Sequence, residues 1–75
     1  MNAEPMRVYQ SKTDGSIWRQ MHRPSYEYSH HHGEWITFTS LFWFDPTGHE
    51  APHELRLCST DETEWNDLRL VGEAN

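Results

Sequence analysis

The sequence has one cysteine, few aliphatic side chains and no long apolar run. The single cysteine, Cys58, excludes an internal disulfide and any zinc site built from several cysteines, and it favours a reducing compartment. The longest purely apolar run, residues 41–44, is too short to span a membrane, and residues 1–5 lack the basic and apolar regions of a signal peptide. We therefore expect a cytoplasmic protein that does not enter a membrane.

The shortage of aliphatic side chains limits the hydrophobic core. Leucine, isoleucine, valine and phenylalanine number 12 of 75 residues and the net charge is −6, a composition close to that of disordered chains. Four tryptophans and three tyrosines favour a folded core instead, because each such side chain can bury about 150 to 250 Å². We predict a single domain over residues 1–75, with a loose leader at residues 1–5 and a tail at residues 72–75. Its small, aromatic-rich core would gain stability from a partner, for example in a homodimer.

The stretch Glu34–Phe44 is the segment best able to seed that core. Its β-branched and aromatic residues predict a long central strand. Side chains alternate along a strand, and we predict that the inner face carries Ile36, Phe38, Ser40, Phe42 and Phe44. The other face begins with Trp35 and ends with Trp43, which we expect to be open to a partner. Residues 45–48, Asp-Pro-Thr-Gly, predict a type I turn that ends the strand.

Shorter elements flank the central strand. Residues 6–23 predict a β-hairpin around the Asp14-Gly15 pair, because this dipeptide favours tight turns. Residues 24–33 predict a loop with some strand character. Residues 53–58 predict a partner strand whose leucines, at positions 55 and 57, face inward.

The C-terminal part predicts a short helix and a closing strand. Ser59 and Glu62 have the spacing of a capping box, which predicts a helix over residues 60–66 that buries Trp65. Residues 68–71 predict a closing strand, although they could also extend the helix.

The predicted fold is mostly β (α+β), a small antiparallel curled sheet or SH3-like barrel of four or five strands with one short helix near the C-terminus. The competing architecture is an open sheet with a longer C-terminal helix.

The histidines and Cys58 are the candidates for chemistry. On an extended segment His30 and His32 would lie on one side about 7 Å apart, and a third ligand such as His49, His53 or Glu50 could complete a zinc or nickel site. The same histidines could act as a pH switch, because imidazoles titrate near pH 6.5 and the triplet at residues 30–32 would then gain mutually repelling charges. An exposed loop explains the same histidines, and a buried core thiol explains Cys58 better than a nucleophile does. Motifs of hydrolases, phosphate-binding loops and zinc proteases are absent from the sequence. We therefore expect no enzyme activity, no cofactor and no bound metal.

Acidic residues are concentrated in the last part of the chain. Residues 1–44 contain four acidic and four basic residues, whereas residues 45–75 contain eight and two. Such a surface repels phosphates, so direct nucleic-acid binding is disfavoured, and it suits a basic protein surface that it could occupy as a nucleic-acid mimic. A solvated, well-capped helix is the alternative explanation. The acidic residues expected to contact a partner are Asp61, Glu62, Glu64, Asp67, Glu50 and Glu54.

The aromatic residues complete the functional prediction. Tryptophan and tyrosine are enriched among the residues that dominate binding free energy at interfaces. Those expected at an interface are Trp18, Tyr26, Tyr28, Trp35 and Trp43, although they could also replace the missing aliphatics in the core. The sequence thus predicts a non-catalytic acidic binding protein, an inhibitor or regulator that docks on a larger protein or nucleoprotein complex, a type common among phage and mobile-element products. The alternatives are an accessory subunit that fills a groove in a larger assembly and a histidine-based metal-binding protein.

Overall fold

The described residues form a six-stranded antiparallel sheet with a short helix near the C-terminus. This confirms the predicted fold class, with more strands than the four or five predicted. The structure is a computed structural model that describes residues 6–50 and 53–74. The predicted leader, residues 1–5, lies outside the described residues. In chain order the elements are β1 (Met6–Ser11), β2 (Ile17–Gln20), β3 (Ser25–Ser29), β4 (Glu34–Phe44), β5 (Glu54–Cys58), α1 (Glu62–Asp67) and β6 (Leu68–Ala74).

β4 is the central strand, with the predicted bounds, and it is paired along both of its edges. Leu41 has Cα partners in both β2 and β5, so these two strands lie on opposite edges of β4. Phe38 has Cα partners in both β3 and β5. β2 and β3 therefore follow one another along the same edge. Across the sheet the order is β5, β4, β2 together with β3, β1 and β6.

The predicted first hairpin is confirmed, with β1 and β2 paired and joined by a turn at Gly15. The φ of Gly15 is 77°, in the left-handed region that glycine adopts without a steric cost. β2 is shorter than predicted, since it ends at Gln20.

The loop predicted at residues 24–33 is a strand over Ser25–Ser29, which pairs with β4 along its whole length. The proline at position 24 precedes this strand, where its missing N–H removes no bond from the ladder. The turn into β4 is closed by the Gly33 N–H, which donates to the carbonyl of Ser29 at 2.7 Å. The sequence pattern underestimated β3 because its polar residues make it resemble a loop.

The core is built around Tyr9, Leu41 and Leu57. As predicted, the leucines of β5 face inward, and Leu57 is only 2% exposed. Half-buried side chains that pack against this group are Trp18, Leu55, Trp65 and Leu68. Tyr9 in β1 and Leu57 in β5 would be roughly 14 Å apart in a flat sheet. Their membership of one cluster shows that the sheet curls, and the core occupies its concave face.

The predicted inner face of β4 is wrong for the second half of the strand. Leu41, assigned to the other face, is 0% exposed, whereas Phe44 is 39% exposed. Phe42 is only half-buried because its cross-strand neighbours are Arg19 and Glu54, which make this face polar. The guanidinium of Arg19 also lies over the Phe44 ring, 3.8 Å from its centroid. Charged neighbours therefore place the two phenylalanines on the convex face.

The first half of β4 buries a smaller group on that convex face. Ile36 and Cys58 are buried there, outside the main core cluster. Arg56 lies over the ring of Phe38, 4.5 Å from its centroid, and forms an ion pair with Glu27. Ile36 is thus buried as predicted, but on the face opposite the main core, and Cys58 is a buried free thiol.

α1 is present as predicted, but the capping box is not. The helix begins at Glu62, and its N-cap Asp61 makes no side-chain capping hydrogen bond. The Asp61 carboxylate instead accepts a hydrogen bond from the Cys58 N–H at 2.9 Å. Trp65, predicted to be buried, is half-buried: its ring meets Tyr9 edge-on at 5.7 Å and its indole N–H donates to the Cys58 carbonyl.

The predicted closing strand is confirmed, and it extends through residue 74 into the predicted tail. β6 pairs with β1, and Leu68 already has extended dihedral angles, so the alternative of a longer C-terminal helix is wrong. Within residues 6–50 and 53–74 no ladder joins β5 to β6, so the curled sheet is not a closed barrel. In the same residues, no helix has the length and apolar character needed to span a membrane.

Candidate functional site

The aromatic residues predicted at an interface divide into two groups near opposite ends of β4. Tyr26, Tyr28 and Trp35 form the first group, which we call the hairpin cluster because it lies on the β3–β4 hairpin. The Trp35 ring stacks on Tyr26, with centroids 5.6 Å apart and planes 23° from parallel, and it meets Tyr28 edge-on at 5.7 Å. The exposed fractions are 68% for Tyr26, 44% for Tyr28 and 57% for Trp35. The hairpin thus presents an ordered aromatic cluster to solvent.

The hairpin cluster is exposed because this end of β4 has few neighbours. Tyr28 is opposite Trp35 and Tyr26 is opposite Thr37, so the cluster shares the face of β4 that carries Leu41. β5 pairs with β4 only from residue 38 onwards and β2 only from residue 41 onwards. The core therefore covers this face farther along the strand and leaves its first residues open.

Trp18 and Trp43 form the second group, near the other end of β4. They are cross-strand neighbours in β2 and β4, and both are half-buried. Two cavities of about 680 and 460 Å³ lie beside them and share Asp14, Ser16 and Trp18. We call these joined cavities the tryptophan groove. Its lining includes Asp14, Ser16, Trp18, Trp43, Glu50, His53, Leu55, Glu64, Asp67 and Leu68.

The β1–β2 turn places Asp14 beside Trp18. The Asp14 carboxylate accepts hydrogen bonds from the N–H of Ser16 at 2.9 Å and from its hydroxyl at 2.6 Å. The same hydroxyl accepts the Trp18 indole N–H at 2.8 Å, which fixes the indole orientation. The bonds from Ser16 hold the pKa of Asp14 below its usual range, so Asp14 is ionised at neutral pH. Asp14 was not predicted as a site residue, because its Asp-Gly sequence indicated only a turn.

Asp67, the last residue of α1, lies beside the same β1–β2 turn. Its carboxylate accepts hydrogen bonds from the hydroxyls of Thr13 at 2.5 Å and Ser11 at 2.7 Å. These hydroxyls lower the pKa of Asp67, which is therefore also ionised at neutral pH. Asp67 both anchors α1 to the β1–β2 turn and contributes charge to the groove.

The groove has no arginine or lysine among its described lining residues. The side chains of Glu50 and Glu64 are exposed and contact no hydrogen-bond donor in the part of the chain that the structure describes. The ammonium group of Lys12, which follows β1, donates a hydrogen bond to the carbonyl of Asn66 at 2.8 Å. The groove therefore combines two indole rings with carboxylates, and the Lys12 ammonium is bonded to the backbone of Asn66 and is not among the described lining residues.

The predicted acidic face is divided by the fold. Asp61 is bound to the end of β5, and the Cys58 N–H lowers the pKa of its carboxyl. Glu62 and Glu64 in α1 are exposed to solvent. Of the six predicted acidic residues, Glu50, Glu64 and Asp67 line the groove, whereas Asp61, Glu62 and Glu54 do not.

The four histidines considered for a metal site are not brought together. His30 and His32 lie in the turn before β4, where the Nδ1 of His32 is 3.0 Å from the Ser29 hydroxyl. His49 and His53 follow β4, and a strand of 11 residues separates the two pairs by about 33 Å. Within residues 6–50 and 53–74 no group of three or more His, Cys, Asp or Glu side chains is arranged to hold a metal ion.

A third cavity, of about 440 Å³, opens on the convex face and was not predicted. Its apolar lining includes Met21, Phe42 and Phe44. Sequence reasoning missed this surface because it assigned the two phenylalanines to the core.

The hairpin cluster and the tryptophan groove contain all five of the predicted interface aromatics. Their chemistry is that of recognition, with exposed rings at one site and rings beside carboxylates at the other. Comparison of the chain with protein-family models, curated proteins and solved structures found no match, so a function is inferred from these two surfaces.

Proposed function

We propose that this protein is a non-catalytic binding protein, an inhibitor or regulator that docks on a larger protein or nucleoprotein complex. The observation that carries the proposal is the hairpin cluster, in which Tyr26, Tyr28 and Trp35 hold one another in place while open to solvent. Tryptophan and tyrosine are the types most enriched among residues that dominate interface free energy. Their mutual contacts restrict the free side chains, so less conformational entropy is lost on binding.

The acidic surface supports the same proposal. The exposed carboxylates of Glu50, Glu62 and Glu64 would attract a basic partner surface, which raises the association rate and makes it sensitive to salt. A basic surface that normally holds nucleic acid has this character, so occupation of a nucleic-acid site is the mode of inhibition that we propose.

Capture of a partner from a lysate of the source cells tests the proposal. The baits are the wild-type protein, a Tyr26→Ser/Trp35→Ser variant and a Met21→Ser/Val71→Ser control, in which two apolar side chains exposed by 55% and 46% are replaced elsewhere. A specific partner should be retained by the wild type and the control, and about 30-fold less by the hairpin variant, because two interface hot spots contribute about 2 kcal/mol or more. Circular dichroism and urea midpoints verify that each bait is folded. Equal retention by the two variants, or no stoichiometric partner at low salt, would contradict the proposal.

Addition of the protein to the purified partner separates an inhibitor from an accessory subunit. An inhibitor lowers the partner's activity in proportion to occupancy, and DNA or RNA competes with it if the two share a site. An accessory subunit binds without lowering activity and is not displaced by nucleic acid.

A further inference from the structure

We infer that the tryptophan groove binds an arginine-containing basic segment of the partner, with a guanidinium group seated against Trp18 and beside the carboxylates that line the two cavities. This inference rests on the proposed function, because it assigns a partner chemistry to the groove. It goes further by naming the side chain that is recognised.

Charge complementarity is the first argument. Asp14 lines both cavities, Glu50 lines the cavity beside Trp43, and Glu64 and Asp67 line the cavity toward α1. No arginine or lysine is among the described residues that line either cavity. An open groove lined by carboxylates raises the local concentration of cations and disfavours phosphates.

The indole rings are the second argument, and they favour arginine over lysine. A cation over an aromatic face is attracted by the ring quadrupole, and tryptophan is the strongest partner. Guanidinium is planar and weakly hydrated, so it stacks on a ring while its edge donates to carboxylates. The protein already uses this contact on its convex face, where Arg19 lies 3.8 Å from the centroid of Phe44.

The partial burial of the two tryptophans is the third argument. Trp18 is held by its indole N–H bond to the Ser16 hydroxyl, and Trp43 contacts the His53 ring with centroids 5.7 Å apart. Both rings are therefore fixed while part of each remains open in the groove. A side chain that enters meets a preformed surface, which limits the entropy lost on binding.

NMR titration of the ¹⁵N-labelled protein tests the inference. The probes are three peptides that alternate glycine with arginine, lysine or citrulline, the last being an uncharged isostere of arginine. The four indole N–H signals are assigned with single Trp→Phe variants. The arginine peptide should shift the Trp18 and Trp43 signals and leave Trp35 unchanged, the lysine peptide should bind more weakly, and the citrulline peptide should cause no shift. A shift confined to Trp35, an equal response to citrulline, or no shift at low salt would overturn the inference.

Matched charge variants separate the groove from the overall charge. Glu50→Gln/Glu64→Gln changes the groove, Glu34→Gln/Glu73→Gln changes exposed strand positions elsewhere, and each pair reduces the net charge from −6 to −4. The groove pair should bind the arginine peptide about 5-fold more weakly and the control pair less than about 2-fold more weakly, as expected for exposed ion pairs. Equal losses would show that binding follows net charge and would overturn the groove assignment. Failure of the peptide to bind while partner capture persists overturns this inference alone, whereas failure of capture overturns the proposed function.

Discussion

Replacement of Leu41 by alanine should destabilise the protein more than replacement of Phe44 by alanine, although phenylalanine is the larger residue. Leu41 is 0% exposed and belongs to the central core cluster with Tyr9 and Leu57. Truncation of such a leucine costs about 2 to 5 kcal/mol, because the transfer free energy is lost and a cavity remains. Phe44 is 39% exposed, so its truncation removes partial burial and the Arg19 contact, worth about 1.5 to 2 kcal/mol together.

The difference should be easy to measure in a protein of this size. At about 0.05 to 0.15 kcal/mol per residue, 75 residues give a free energy of unfolding of about 4 to 11 kcal/mol. Leu41→Ala would therefore remove a large part of the total. Urea denaturation followed by tryptophan fluorescence and far-UV circular dichroism gives the two free energies, and Leu41→Met, which nearly conserves volume, should cost less than about 1.5 kcal/mol.

The comparison also tests which face of β4 is the core. If Phe44→Ala lowers the free energy of unfolding as much as Leu41→Ala, the phenylalanine face is the buried one. The concave position of the tryptophan groove would then be wrong as well, because Trp43 and Leu41 share one face of the strand.

Two further predictions concern the turns. Hydrogen bonds, first from the Thr47 hydroxyl and then from backbone N–H groups, lower the pKa of Asp45 to about 2. Since the pKa is depressed on folding, this stabilisation is complete above the unfolded value near 3.8 and is lost as pH falls through about 2. The urea midpoint of the wild type should therefore be lower at pH 2 than at pH 5, and the midpoint of the Asp45→Asn variant should decrease less over the same range. Gly33 has a φ of 68° and open space around it, so Gly33→Ala should cost about 1 to 2 kcal/mol through backbone strain alone. Gly72→Ala, at an open position without a positive φ, should change the free energy of unfolding by less than about 0.5 kcal/mol in the same urea assay, and an equal cost at both glycines would refute the explanation.

Local sequence signals were sufficient for most of the secondary structure. The run of β-branched and aromatic residues in β4 and the Asp14-Gly15 turn are both contained within a short window, and both elements formed as predicted. The face of β4 that became the core could not be predicted in this way. It depends on Arg19 and Glu54, which lie beside Phe42 only after β2 and β5 have paired with β4.

The candidate sites show the same limit. The aromatic residues of an interface could be proposed from composition, and the hairpin cluster consists of residues close in sequence. The tryptophan groove instead joins residues from position 14 to position 68, because the sheet curls and α1 crosses between β5 and β6. Asp14 therefore had no local signal as a groove residue. The structural bonds of Asp61 and Asp67 at the two ends of α1 had no local signal either, because their partners lie in β5 and in the β1–β2 turn.

The two surfaces occupy the ends of one strand face, and this restricts how a partner can bind. Trp35 and Trp43 are eight residues apart in β4 and point to the same side, so they are about 26 Å apart, and the core covers the face between them. A single extended peptide cannot contact both without crossing the covered part. A partner that uses both sites must therefore present two separate features, an apolar surface for the hairpin cluster and a basic segment for the groove. Substitutions at sites this far apart have additive effects on the binding free energy. For a partner that contacts both sites, the fold-losses in affinity from the hairpin variant and the groove variant should therefore multiply in the combined variant. A partner that contacts one site should lose no affinity when the other site is changed.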